Sequence, residues 1–264
     1  MKKKIIAICM MFTLFLTACS GNKTAKSTVD KIKEKGEIVL GVSAEFPPFE
    51  THKMIDGKDQ IVGIDIDLAK EIAKELNVNL KIVDNYFNVL LTGLNTGAYD
   101  FVISGVNPTE KRAKEVDFSD KYYKADSLLV VRKDFDKTIK DIKDIDEDFK
   151  FGTQLGSLQE ESIKKYWPKN KLNSLPRFPE VVMELKSGKI DGILFDAPVA
   201  KNYVKNNPDL KVLENFKIED NDMAIAIKKG NKELLDICNK VIKELKDNKK
   251  LDEIIKKNEE ELKN

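Results

Sequence analysis

The sequence predicts an α/β fold of two lobes with a ligand site between them. Three observations carry this. Short apolar strands alternate with amphipathic helices, the alternation starts afresh near residue 150, and one pattern occurs twice, as LNTGAYDFVISGV (94–106) and LKSGKIDGILFDA (185–197). In both copies a helix end, a glycine, an aspartate and an apolar strand give way to a polar turn. Such alternation requires parallel strands with helices on both faces, and two such sets make two lobes.

The elements follow in order. EIVLGVS (37–43) is an apolar run between Gly36 and Gly41 that spills into small polar residues. GIDIDLAKEIAKELN (63–77) places Leu68, Ile72, Ala73 and Leu76 at helical spacing. LKIVD (80–84) is a strand, and NVLLTGLNTG (88–97) a helix with a glycine stop. YDFVISG (99–105) has no charge after Asp100, which predicts a strand buried on both faces. The second set runs strand KFGTQ, helices SLQEESIKKYW and PEVVMELKSG, strand KIDGILFD, helix PVAKNYVKNN and strand LKVLE. An apolar strand, DMAIAIKK (222–229), and two lysine-rich amphipathic helices finish the chain.

Composition excludes several functions. With 264 residues, 41% of them hydrophobic, there is ample material for a core. The net charge is +1 with both signs spread throughout, so there is no basic stripe for nucleic acid. His52 is the single histidine, which argues against a zinc site and a Ser-His-Asp triad, and no cofactor is expected. Of the three cysteines only Cys238 lies in the body of the chain, within an amphipathic helix, and it is expected to be a core thiol.

The N-terminus reads as an export signal over residues 1–18: a positive MKKK, the apolar IIAICMMFTLFLTA, then small residues. Leu16-Thr17-Ala18-Cys19 resembles a bacterial lipobox, which implies a lipid-modified Cys19 and a polar tether over 19–28, with the chain held on the outer face of the cytoplasmic membrane. Removing Lys2, Lys3 and Lys4 with the signal leaves 43 basic against 45 acidic residues, a net charge near −2.

Both copies of the repeated pattern end at the carboxyl edge of a strand, where open α/β sheets bind ligands. The first delivers Ser104, Gly105, Asn107 and Arg112, and the second delivers Asp196. Gly105 admits a close backbone approach, Thr109 is an N-cap for a helix that starts at TEKR, and the fork of Arg112 suits a carboxylate. A cation on one lobe and an anion on the other fit the carboxylate and ammonium of an α-amino acid. Read locally, Arg112 serves equally as a surface partner of Glu115 or Asp117, Asp196 as a helix cap, and Phe46 and Phe87 as core plugs.

GVSAEFPPFE, IVGIDIDLAKEIAKELNV, ISGVNPTEKRAKEVDFSDKYY, LLVVRK, FGTQLGSLQEE and GKIDGILFDAPVA, in that order, closely resemble the extracellular solute-binding proteins of polar amino acid ABC transporters, solute-binding protein family 3. The resemblance spans Val29 to Asn264. It implies a periplasmic-binding-protein-like fold, two α/β lobes joined by a two-strand hinge, with lobe one at 29–127 plus 220–264 and lobe two at 128–219. It implies a monomer that carries a free L-amino acid to a membrane permease and is not an enzyme. By position, Phe46 and Phe87 pack on the ligand side chain, and Ser104 and Gly105 meet its carboxylate and ammonium. Arg112 grips the carboxylate, helped by the helix start at Ser157, and Asp196 holds the ammonium. Ser43 and Gln154 sense the side chain. Asn107 replaces the usual Ser or Thr, and Ser43 replaces the acid of several basic-amino-acid binders, for which Glu45 is a substitute. Arginine is the leading ligand, with glutamine and lysine next. Two other classes stay open for this fold: a sensing or adhesive surface lipoprotein, and a dehydratase acting on cyclic acids with Glu45 as general acid.

Overall fold

The structure, a computed structural model, describes residues 26–261; the signal segment and Cys19 lie outside the described residues. Ser27 opens α1 (Thr28–Lys35) with a reciprocal capping box, and left-handed Gly36 closes it. In β1 (Glu37–Val42), Ile38, Leu40 and Val42 enter one core while Val39 enters another with Leu90, Leu94 and Tyr99. Burial on both faces is why this segment reads as an unbroken apolar run.

A small antiparallel sheet follows, made of β2 (Glu45–Phe46), β3 (Glu50–Ile55) and β4 (Lys58–Val62). The polar run ETHKMIDGKDQIV hides it from hydrophobic periodicity. Its signal is Asp56-Gly57, both at positive φ (51° and 74°), the two-residue turn that suits a hairpin. α2 (Ile64–Leu76) then packs against the first core. Gly63, at φ 139°, makes the joint: a Cβ there would lie 2.0 Å from the Phe49 carbonyl oxygen. Through that close approach Ile64 N donates to Pro48 O (3.0 Å) and Asp65 N to Phe49 O (3.0 Å).

The chain continues through β5 (Asn79–Asp84), α3 (Phe87–Thr96), β6 (Phe101–Val102), α4 (Glu110–Ala113) and β7 (Val116–Arg132). The second set comprises β8 (Phe151–Gln154), α5 (Leu158–Tyr166), β9 (Leu172–Leu175), α6 (Phe178–Lys186), β10 (Gly192–Asp196) and α7 (Ala197–Asn206). β11 (Leu210–Lys228), α8 (Lys232–Asp247) and α9 (Lys250–Glu261) follow. Glycine 97 ends α3 and Thr109 caps α4, both as expected.

Among the described residues the main sheet has the order β5-β1-β6-β11-β7-β10-β8-β9. Parallel β5-β1-β6 belong to lobe one, with α2, α8 and α9 on one face and α3 on the other. Parallel β10-β8-β9 belong to lobe two. Between them run β7 and β11, antiparallel to each other and to their neighbours β10 and β6. The first part of β7 pairs with the last part of β11 in lobe one, and Leu128–Arg132 pairs with Leu210–Lys217 in lobe two.

Three sequence expectations change here. The sheet is mixed, because two long strands shared by both lobes must run in opposite senses. LKVLE and DMAIAIKK are ends of one strand with register shifts between them. YDFVISG contributes only Phe101 and Val102 to the sheet, because the chain leaves the ladder there to turn at Gly105. Cys238 is fully buried, and burial pushes its thiol up to about 12, as a core thiol requires.

Candidate functional site

The carboxyl ends of β1, β6, β8 and β10 meet at one seam between the lobes. Ser43 follows β1, Ser104, Gly105 and Asn107 follow β6, Gln154 ends β8, and Asp196 ends β10. These residues line one cavity with Phe46, Phe87 and Ser157, so nine of the residues singled out from the sequence come together. Sequence reasoning missed Glu50, Gln159 and Phe178 in that lining.

The backbone of the site is set locally. Gly105 has φ 55°, and a Cβ on it would meet the Phe46 ring at 2.7 Å, so the turn after β6 can lie against that ring only as glycine. Its N–H donates to Asp65 Oδ2 (2.9 Å) and is therefore committed to the protein. The Ser104 hydroxyl donates to Glu50 Oε1 (2.6 Å) and accepts from Ser43 N (3.0 Å). Asn107 donates to the Asp222 carbonyl (2.9 Å), which ties the turn to β11. In lobe two Ser157 caps α5, accepting from Glu160 N at 3.1 Å.

Asp196 occupies the N-cap position of α7, but its side chain does not cap that helix. Its oxygens accept from Asn221 Nδ2 (2.6 Å) and Gln159 Nε2 (3.2 Å). Burial raises its carboxyl to about 6, against the pull of those two amides. Among the described residues no cation pairs with it.

Arg112 and Glu45 stand outside the cavity lining. Arg112 is 8% exposed and donates to two backbone carbonyls, Asn107 O (3.0 Å) in lobe one and Gly156 O (2.9 Å) in lobe two. Its guanidinium lies 5.4 Å from the centre of the Phe87 ring, and burial lowers its pKa. Glu45 instead forms a short ion pair with Arg177, whose guanidinium also approaches Asp84 (3.9 Å) and lies over Tyr86 (4.6 Å). The pairing, first of all its hydrogen bond, pushes the Arg177 pKa up. Partners 132 residues apart leave no local trace in the sequence.

An aromatic column crosses the seam. Phe49 and Phe46 stack at 5.6 Å, Phe46 and Phe178 at 5.5 Å, and Phe178 continues to Phe195 at 4.8 Å. Together with the opposed polar groups, this makes a site for a small solute with both apolar and charged parts.

Two lobes sharing a pair of long strands, with a polar and aromatic cavity at their seam, define a two-lobed solute-binding protein. Residues 38–260 match the model of the bacterial extracellular solute-binding proteins, family 3, and the chain belongs to that family. It is 37% identical to the arginine-binding extracellular protein ArtP of Bacillus subtilis (strain 168), over 96% of this chain and 95% of that one. The crystal structure of the amino acid ABC transporter substrate-binding protein AbpA from Streptococcus pneumoniae Canada MDR_19A, bound to L-arginine, is similar with a TM-score of 0.85. It is 40% identical, covering 89% of this chain and 99% of that one. The ancestral amino acid-binding protein AncCDT-1, a precursor of cyclohexadienyl dehydratase, has a TM-score of 0.80 at 35% identity, covering 88% of this chain and 99% of that one.

Proposed function

We propose that this chain is the extracytoplasmic binding component of an ABC transporter, and that it captures L-arginine between its lobes for delivery to a membrane permease. The observation that carries this is Asp196, a buried acid on the cavity wall held by amides and without a cation among the described residues. An α-ammonium supplies the missing charge. The Phe46, Phe87 and Phe178 rings line the cavity with aromatic surface suited to a planar cationic side chain, and the two arginine-binding proteins named above support the choice.

We assign the ligand contacts to Ser43, Phe46, Phe87, Ser104, Gly105, Asn107, Gln154, Ser157 and Asp196, with Arg112 and Glu45 acting across the seam. Lobe one is taken as 29–127 plus 220–264 and lobe two as 128–219. The site is read as binding and not catalytic, because Glu45, the acid considered for proton transfer, is held by Arg177 and is absent from the cavity wall. The chain is taken to act as a monomer anchored through a lipid on Cys19. Cys19→Ser is expected to release the exported protein from membranes, and retention in the membrane fraction would refute the anchor.

Titration calorimetry tests the ligand, on protein unfolded and refolded to remove carried-over solute. L-arginine is expected to give saturable heat and to raise the melting temperature by mass action. If none of the twenty amino acids, ornithine or citrulline binds, the proposal fails.

A further inference from the structure

At the cavity wall, where Glu50 is part of the lining, two acids meet with no cation between them. Glu50 opens β3 and Asp65 is the second residue of α2, and both are fully buried. The joint at Gly63, with its hydrogen bonds to Pro48 and Phe49, sets these two segments side by side and brings the carboxyls within hydrogen-bonding reach. One oxygen of each is satisfied: Glu50 Oε1 by the Ser104 hydroxyl and Asp65 Oδ2 by Gly105 N. The others, Glu50 Oε2 and Asp65 Oδ1, have no hydrogen-bond partner, and neither has the buried Tyr122 hydroxyl beside them.

The surroundings do not neutralise the pair. Asp84 adds negative charge near Glu50, and the Tyr122 phenol stands beside Asp65. Nearby, the His52 ring and the Arg177 guanidinium approach Asp84, at 3.6 and 3.9 Å. Among the described residues neither Glu50 nor Asp65 has a cationic partner. Two bare carboxylates in contact and out of water repel strongly, whereas one proton between the bare oxygens satisfies both.

We infer that Glu50 and Asp65 share a single proton, and that Glu50 is a positioning residue that fixes the Ser104 hydroxyl with its hydrogen turned away from the cavity. Burial first, and then the charge of Asp65, hold Glu50 well above the usual carboxylate range, so the shared proton is drawn toward Glu50. The Ser104 hydrogen is spent on Glu50, and one lone pair takes the Ser43 N–H. The remaining lone pair faces the cavity, so Ser104 offers an acceptor and selects a donor such as an ammonium. In its ligand arm this deepens the proposed function and rests on it.

The test compares the wild type with Glu50→Gln and Glu50→Leu. Glutamine keeps an acceptor for Ser104 and offers Asp65 an N–H in place of the shared proton. Because the folded pair keeps a proton that the unfolded chain releases at ordinary carboxylate pH, the wild type loses stability as pH rises above about 4.5. Glu50→Gln has no such loss. Its melting temperature is therefore expected to gain on the wild type between pH 5 and 8, by roughly 3 °C or more. Glu50→Leu is expected to bind L-arginine at least about tenfold more weakly than Glu50→Gln, because Ser104 can then turn its hydrogen toward the ammonium. A melting difference that does not change with pH overturns the shared proton. Equal arginine affinities for the two variants overturn the positioning of Ser104. A wild type that binds no amino acid overturns the proposed function and the role of Ser104 with it, while the melting comparison still decides the proton.

Discussion

Replacing Asp196 with alanine is expected to weaken arginine binding by about 100-fold or more, the usual size of the loss when one partner of a buried charge pair is removed. Asn221 and Gln159 orient the carboxylate before any ligand arrives, so binding requires little rearrangement at that end of the cavity. Without the acid, the ammonium would enter a buried site with two amide donors pointing at it. The same group sets a pH dependence. Its raised value of about 6 means that below that pH a ligand must displace a proton, so affinity falls as pH falls through about 6. Calorimetry at pH 5 and 7.5, with circular dichroism to show that the variant is folded, measures both effects. Affinity within threefold of wild type in Asp196→Ala would remove this residue from the site.

Arg112→Ala is expected to have a comparable effect, for two physical reasons. The guanidinium bridges the lobes by donating to Asn107 O and Gly156 O, and only a closed arrangement brings these carbonyls to one side chain. It is also a buried cation whose hydrogen-bond partners are neutral carbonyls, so a carboxylate arriving nearby gains more than it would from an arginine already bonded to an acid. A loss of about 100-fold corresponds to nearly 3 kcal/mol, within the range for breaking such contacts. Arg112→Lys is expected to restore little, because one ammonium cannot reproduce the planar fork over Phe87. Near-wild-type affinity in the lysine variant would show that charge alone matters here.

The sequence was most informative where residues act through neighbours in the chain. β1, α2 and α3 follow from hydrophobic period and glycine stops, and the repeated strand-and-turn pattern leads to Ser104, Gly105 and Asp196 at the right strand ends. It was least informative where distant segments meet. VDFSDKYYKADSLLVVR forms the 17-residue β7, but lobe one and lobe two use different stretches of it and no single alternation runs through. Phe178 reaches the cavity from the start of α6 and Asn221 reaches Asp196 from β11, neither near a recognisable motif. Glu50 had only a faint signal, an acid directly after a Pro-Pro-Phe turn. Its meaning depends on Asp65 and Ser104, which the fold alone brings to it.

The two shared strands also dictate an order of assembly. Every strand of the β9-β8-β10 sheet, together with the Ser127–Val131 stretch of β7 beside it, has been synthesised by residue 196. β6 instead waits for Ala226 and Ile227, and α2 for α8 and α9 from the last thirty-three residues. A chain emerging from its N-terminus therefore has the material for its inserted lobe first. Its outer lobe can join its two ends only when the tail arrives, so truncation at the C-terminus would strip the earliest-made segment of its partners while sparing the middle of the molecule.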